Sequence, residues 1–237
     1  MGWSDEVLAD SPVAYYRMGE SSGQPQDSSG NGNHTTVTNG TPVYSKPSLI
    51  LSDLGNTAIE LAAASVEYFT APDHATLDLG DVLTLECWIK RGVQTGAFEP
   101  LICKGVNAYV LYFNSSDDRI IFDKRGVQGI VASTVQVSDE NIHHIVYTKN
   151  GATSKIYLDA VDVTGTVTDA TLADNTTDLF IGAREDAGVM YNGVIDEVAI
   201  YPTALSAARV AAHYNVGRPP DALSLLPGNP STKFGPF

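Results

Sequence analysis

Hydrophobic and polar positions alternate along much of this chain with a period of two. The clearest run is Val82 to Lys90, where Leu83, Leu85, Cys87 and Ile89 fall on one face and Thr84, Glu86, Trp88 and Lys90 on the other. Similar runs recur at Val13 to Met18, Ala58 to Leu61, Val66 to Thr70, Pro100 to Lys104, Ala108 to Asn114, Arg119 to Lys124 and Gly129 to Thr134. They continue at Ile142 to Lys149, Ser154 to Asp159, Leu179 to Gly182 and Gly193 to Tyr201. Gly, Asn, Asp, Ser and Thr gather between them, so the pattern predicts short strands joined by turns, in a sandwich or barrel. Leu83, Leu85, Cys87, Ile89, Val146 and Ile156 are expected inside, with Glu86 on the polar face of its strand. In the last run strict alternation puts Val194, Asp196, Val198 and Ile200 on one side. Asp196 then shares an apolar face and needs hydrogen bonds or a cation to offset its desolvation.

The period changes once. Ser206 is a plausible N-cap, Ala207, Val210, Ala211 and Tyr214 form an apolar stripe at three-and-four spacing, and Gly217 ends it, which predicts a single short C-terminal helix. Residues 218–237 are broken by prolines and glycines and are expected as an extended arm whose Leu223, Leu226, Phe234 and Phe237 dock on a neighbouring subunit. Residues 1–217 form the domain proper.

Length and composition narrow this further. At 237 residues and 43% hydrophobic content the chain can bury one large core. A formal net charge of −14, with no basic block, argues against nucleic acid as a partner. No apolar run is long enough to span a bilayer, so membrane insertion is not expected. Met1 to Glu6 lack the basic and apolar regions of a secretion signal, giving the expectation of a chain made in the cytosol. Cys87 and Cys103, each beside strand-like residues, are read as buried free thiols.

Five stretches, in order, resemble the laminin-G-like jelly roll, a family related to concanavalin A-like lectins. They are Ala9 to Glu20, Asp27 to His34, Leu83 to Lys90, Ile142 to Asp159, and Gly193 to Tyr201 with Ala204, Leu205 and Ser206 after it. The likeness covers roughly Val7 to Gly217. Ile142 stands where the family usually has Trp, and Ala160 where it usually has Gly. The resemblance implies an all-β, two-sheet antiparallel jelly-roll sandwich. It implies little about function, because this fold carries lectins, enzyme accessory domains, adhesion modules and virion proteins. The opening stretch is also similar to laminin-G-like modules in structural proteins of tailed bacteriophages.

For chemistry, related glycosidases present two carboxylates on one strand; here Glu86 has no acidic partner two residues away, so catalysis is not expected. His143 and His144 are neighbours on a strand and face opposite ways. Laminin-G-like domains often hold calcium, which points to Asp27, Asn31 and Asp196 as oxygen ligands; the alternative is an Asx-turn at Asp27 and amide hydrogen bonds at Asp196. Tyr16, Trp88, Tyr109, Tyr112 and Tyr191 are possible sugar-stacking surfaces. The expected function is a non-catalytic virion structural or decoration protein, made in the host cytoplasm, oligomeric in its assembly with other virion subunits and exposed to cell-surface glycans. The alternative is an extracellular carbohydrate-binding module of a secreted glycan-active protein.

Overall fold

The computed structural model describes residues 2–218. In chain order the elements are α1 (Trp3–Ala9), β1 (Ala14–Tyr16), β2 (Val37–Asn39), β3 (Val43–Pro47), β4 (Thr57–Leu61), β5 (Tyr68–Ala71), β6 (Val82–Arg91), β7 (Glu99–Cys103) and β8 (Tyr109–Phe113). There follow β9 (Arg119–Lys124), β10 (Gln128–Gln136), β11 (Ile142–Asn150), β12 (Thr153–Leu158), β13 (Val161–Asp162), β14 (Thr164–Val167), β15 (Leu179–Ile181), β16 (Gly193–Tyr201) and α2 (Ala207–Gly217). One sheet runs β13-β12-β11-β6-β16-β4-β3, with β1 also paired to β16; the other runs β14-β10-β9-β8-β7-β15-β5-β2. The pairings within both sheets are antiparallel. This is the two-sheet antiparallel jelly-roll sandwich that the resemblance implied.

The inner faces interdigitate. Leu83, Leu85, Cys87 and Ile89 of β6 and Ile145, Tyr147 and Ile156 meet Leu111, Phe113, Ile120 and Phe122 of the opposite sheet in one buried cluster. Phe122 and Tyr147 stack across it with ring planes 11° apart. Val146, expected in this cluster, is buried on the other face of its sheet, because its β11 neighbours Ile145 and Tyr147 take the inward positions.

That other face is closed by helices. Trp3 and Val7 of α1 and Val210 of α2 join Trp88, Val146, Tyr157 and Tyr201 in a second buried cluster. Sequence pattern does not reveal α1: seven residues with two apolar anchors four apart are too short to show a period or to persist alone in water. Asp5 Oδ2 accepts the Gly2 N–H at 2.9 Å and starts the helix. On α2, Ser206 caps as expected, accepting from Arg209 N at 3.3 Å. The buried stripe, however, is Val210, His213 and Gly217; Ala207 is exposed and Ala211 and Tyr214 are half-buried. A histidine faces inward because a carboxylate waits for it beneath. At Gly217 the close approach needs glycine, since a Cβ there would lie 2.5 Å from the Trp88 ring.

Alternation fails in β16. The register against β6 slips between Asp196 and Ala199, and Glu197 adopts φ +51°, so one extra residue is bulged out of the ladder. Beyond the bulge the faces exchange: Ile195, Val198 and Ile200 point into the inter-sheet core, while Val194, Ala199 and Tyr201 lie under the helices. Asp196 therefore does not share a face with Val198 and Ile200.

Candidate functional site

Four regions hold the polar chemistry. The first is buried under the helices. Glu86 is 0% exposed and accepts hydrogen bonds from His144 Nε2 at 2.7 Å and His213 Nδ1 at 2.9 Å, and from the Tyr201 hydroxyl. His213 Nε2 lies 2.9 Å from Asp10 Oδ2, and Arg209 pairs with Asp10 and Glu6. Trp3 meets the His144 and His213 rings edge-on. Burial alone would raise the Glu86 carboxyl, but the His213 charge and the two histidine hydrogen bonds hold it well below the usual carboxylate range. Glu86 was expected on an exposed polar face; it is instead the bolt that fastens α2 to β6. His143 faces the opposite way, with Asp159 at 2.7 Å and Asp139 at 2.9 Å.

The second region is the Asp27 loop. Asp27 Oδ1 accepts from the amides of Tyr15 and Ser29, and Oδ2 from that of Asn33, each at 2.9 Å. Asn31 turns its Nδ2 to the Pro12 carbonyl and Ser29 Oγ. The third region is the bulge. Asp196 Oδ2 accepts from Leu49 N at 2.9 Å and Ser48 Oγ at 3.3 Å, and burial pushes the Asp196 carboxyl well up. Glu197 accepts from the Tyr15 hydroxyl and Asn56 Nδ2, and burial pushes its carboxyl up to about 7. Asp27 and Asp196 share no partner, and among the described residues no group of three or more His, Cys, Asp or Glu side chains is arranged to hold a metal ion. A common calcium ion on Asp27, Asn31 and Asp196 does not fit this arrangement: backbone amides donate to both Asp27 oxygens, Asn31 is turned to the Pro12 carbonyl and Ser29, and Asp196 is engaged separately by Leu49 and Ser48.

The fourth region is the outer face of the second sheet, where no described helix packs. On β8 and β9, Tyr109, Leu111, Phe113, Ile120 and Phe122 point inward, leaving Val110, Tyr112, Ile121 and Asp123 outside. Two hollows of about 310 and about 330 Å³ adjoin there and share Tyr112, Asp123 and Gly129. Together they run from Pro100 on β7 to Thr166 on β14, five neighbouring strands, or roughly 19 Å at ordinary strand spacing. Phe98, 40% exposed, stands edge-on to Tyr112 with ring centroids 5.5 Å apart, making an aromatic wall. The Tyr112 hydroxyl donates to Asp123 Oδ2 at 2.6 Å, and Asp123 Oδ1 is buried beneath the sheet surface. Burial raises the Asp123 carboxyl, partly offset by the Tyr112 hydrogen bond. Arg125 and Arg184 line the near end.

Of the aromatic residues expected to stack on sugars, Tyr16, Trp88, Tyr109 and Tyr191 are wholly buried, and Tyr112 alone reaches a surface. Phe98 was not anticipated, since a single aromatic in a loop carries no periodic signal. Leu223, Leu226, Phe234 and Phe237 of the expected arm lie outside the described residues. Both cysteines are free and buried, and burial pushes the Cys103 thiol up to about 12.

With this geometry in view, the relatives can be named. A family description reading "Concanavalin A-like lectin/glucanases superfamily" matches residues 64–211. The chain belongs to that superfamily. No curated protein matches it. Among solved structures, the binding domain of Paraclostridial Mosquitocidal Protein 1 aligns with TM-score 0.68 and 16% identity over 88% of this chain and 52% of that one. Domain 4 of AbnA, a GH43 extracellular arabinanase from Geobacillus stearothermophilus solved with arabinotriose, aligns with TM-score 0.67 and 15% identity over 86% of this chain and 98% of that one. Trypanosoma rangeli sialidase aligns with TM-score 0.62 and 13% identity over 86% of this chain and 32% of that one. At such identities the likeness is one of fold alone, and this chain spans about half the length of the mosquitocidal chain and a third of the sialidase.

Proposed function

We propose that this is a non-catalytic carbohydrate-binding domain that lays a short oligosaccharide along the outer face of the β14-β10-β9-β8-β7 sheet. The observation that carries the reading is the pair of hollows joined at Tyr112 and Asp123. They supply an aromatic wall for the apolar face of a sugar ring, with the Tyr112–Asp123 hydrogen bond holding that wall from below. Few polar groups converging in a mostly preformed depression is the ordinary form of a small-ligand site. Superfamily membership supports the reading, as does the likeness to an arabinanase domain solved with arabinotriose and to the binding domain of a toxin.

Several observations favour binding without turnover. Glu86 and His144 are sealed under the helices. Around the hollow, Glu185 is held by Arg125, Asp186 by Arg184 and Asp123 by Tyr112, leaving no free pair of carboxylates among the described residues to flank a glycosidic bond there. The test is isothermal titration against neutral oligosaccharides of two to four residues, with product analysis after long incubation. Binding without product, weakened on the order of tenfold by Tyr112→Ala or Asp123→Asn with the melting temperature kept, is the expected result. Binding unaffected by both variants would remove the site.

A further inference from the structure

We infer that the glycan taken by this face is a neutral one, and that sialylated or uronate-bearing glycans are selected against; this rests on the carbohydrate-binding reading above. The reason lies in how the two arginines at the near end are used. Recognition of a sugar carboxylate draws its strength from a guanidinium fork offered edge-on, two parallel N–H groups to two oxygens. Arg125 has already given that edge to Glu185, through Nε at 3.0 Å and Nη2 at 2.8 Å. Glu185 is itself fixed from below by the Cys103 thiol, 3.3 Å from its Oε2. Arg184 has given the same edge to Asp186, with Nε and Nη2 each at 2.8 Å.

The charge that remains points the same way. Arg125 and Arg184 are cancelled by Glu185 and Asp186, and Asp123 offsets Lys124 beside it, so the lining carries no net charge to attract an anion. The floor group is the Asp123 carboxylate, which repels another carboxylate brought over it. Around it the whole chain carries −14, a field that slows the approach of an acidic ligand. A neutral sugar meets none of these penalties and stacks on Phe98 and Tyr112.

The experiment titrates the full chain with a panel of arabinofurano-, galacto- and gluco-oligosaccharides, each paired with the same oligosaccharide oxidised at its terminal primary alcohol to the uronate, with 3′-sialyllactose alongside lactose. The expected result is a neutral member bound, its uronate partner weaker on the order of tenfold at low salt, and a gap that narrows as salt screens the charge. The double variant Glu185→Gln with Asp186→Asn, which frees both forks, should recover the acidic partner. Equal or tighter binding of the acidic member by the unaltered chain would overturn the inference while leaving the carbohydrate reading in place. If no member of either set binds, or if binding survives Tyr112→Ala and Asp123→Asn unchanged, the carbohydrate reading of this face itself fails.

Discussion

Replacing Glu86 by Gln keeps the size of the side chain and removes the charge on which α2 is fastened. In the folded protein that carboxylate faces His144 at 2.7 Å and His213 at 2.9 Å with all three side chains sealed from solvent. Removing one member of such a buried set leaves its partners' charge uncompensated, at a cost of about 3–5 kcal/mol. For a chain of this size that corresponds to a fall in melting temperature of roughly 6–20 °C. The pH dependence is diagnostic. Glu86 is held below its unfolded value, so its contribution is present above the unfolded carboxylate pKa and is lost as pH falls through the folded one. His213, despite its burial, is raised by Glu86 and Asp10, so its contribution is complete below the unfolded histidine pKa and is lost as pH rises through the folded one. Glu197, pushed up to about 7 by burial, costs stability progressively from the unfolded carboxylate value up to about pH 7, because the unfolded chain ionises there and the buried carboxyl does not. The native chain should therefore be most stable just above the unfolded carboxylate value, at roughly pH 4.5–5, and decline from there towards alkaline pH. Differential scanning fluorimetry from pH 4 to 9 reads both effects. In Glu86→Gln the drop should be largest in that window and the alkaline decline shallower. A variant melting within 2 °C of the parent (a shift of roughly 1 kcal/mol or less), with the same profile, would refute the clamp.

Asp27→Ala removes the acceptor of three backbone amides and should cost on the order of 2–4 kcal/mol whether or not calcium is present; a melting temperature that falls on chelation in the native chain, and no longer does so in Asp27→Ala, would restore a calcium site to this loop. Gly217→Ala should lower stability by about 1–3 kcal/mol, since its Cβ would press on Trp88 at 2.5 Å and on Trp3 at 3.2 Å; unchanged denaturant midpoints would show that the helix end is free to shift. Deleting residues 221–237 tests the expected docking arm: the melting temperature should hold while any self-association seen by analytical ultracentrifugation disappears, and a truncated chain that still assembles would rule the arm out. A virion role would be supported by recovery of the chain in intact particles, with the same deletion abolishing incorporation.

The sandwich was legible in the sequence because strand alternation is a local property: in β6 the inward Leu83, Leu85, Cys87 and Ile89 could be named before any partner was known. The Ser206 cap and the stop at Gly217 were legible for the same reason. What alternation cannot carry is an interruption or a cover. The bulge at Glu197 is one residue of changed backbone, and it moved Val198 and Ile200 to the opposite face from Asp196. The identity of the covering face was equally hidden. Glu86 read as a residue of the polar face of its strand, and only the packing of α1 and α2, which come from opposite ends of the described chain, turned that face into a buried ion cluster with His144 and His213. The shared apolar face made Asp196 a carboxylate in need of partners, but the amide that meets it lies 147 positions away. The proposed glycan face was the least legible of all. Tyr112 stood among five equivalent aromatics until burial removed four, and Phe98 and Asp123 acquire meaning only where the loop before β7 and the strand β9 meet across the sheet. Sequence determines what each position prefers, whereas exposure, and with it the chemistry left over for a ligand, is a property of what the rest of the chain has already covered.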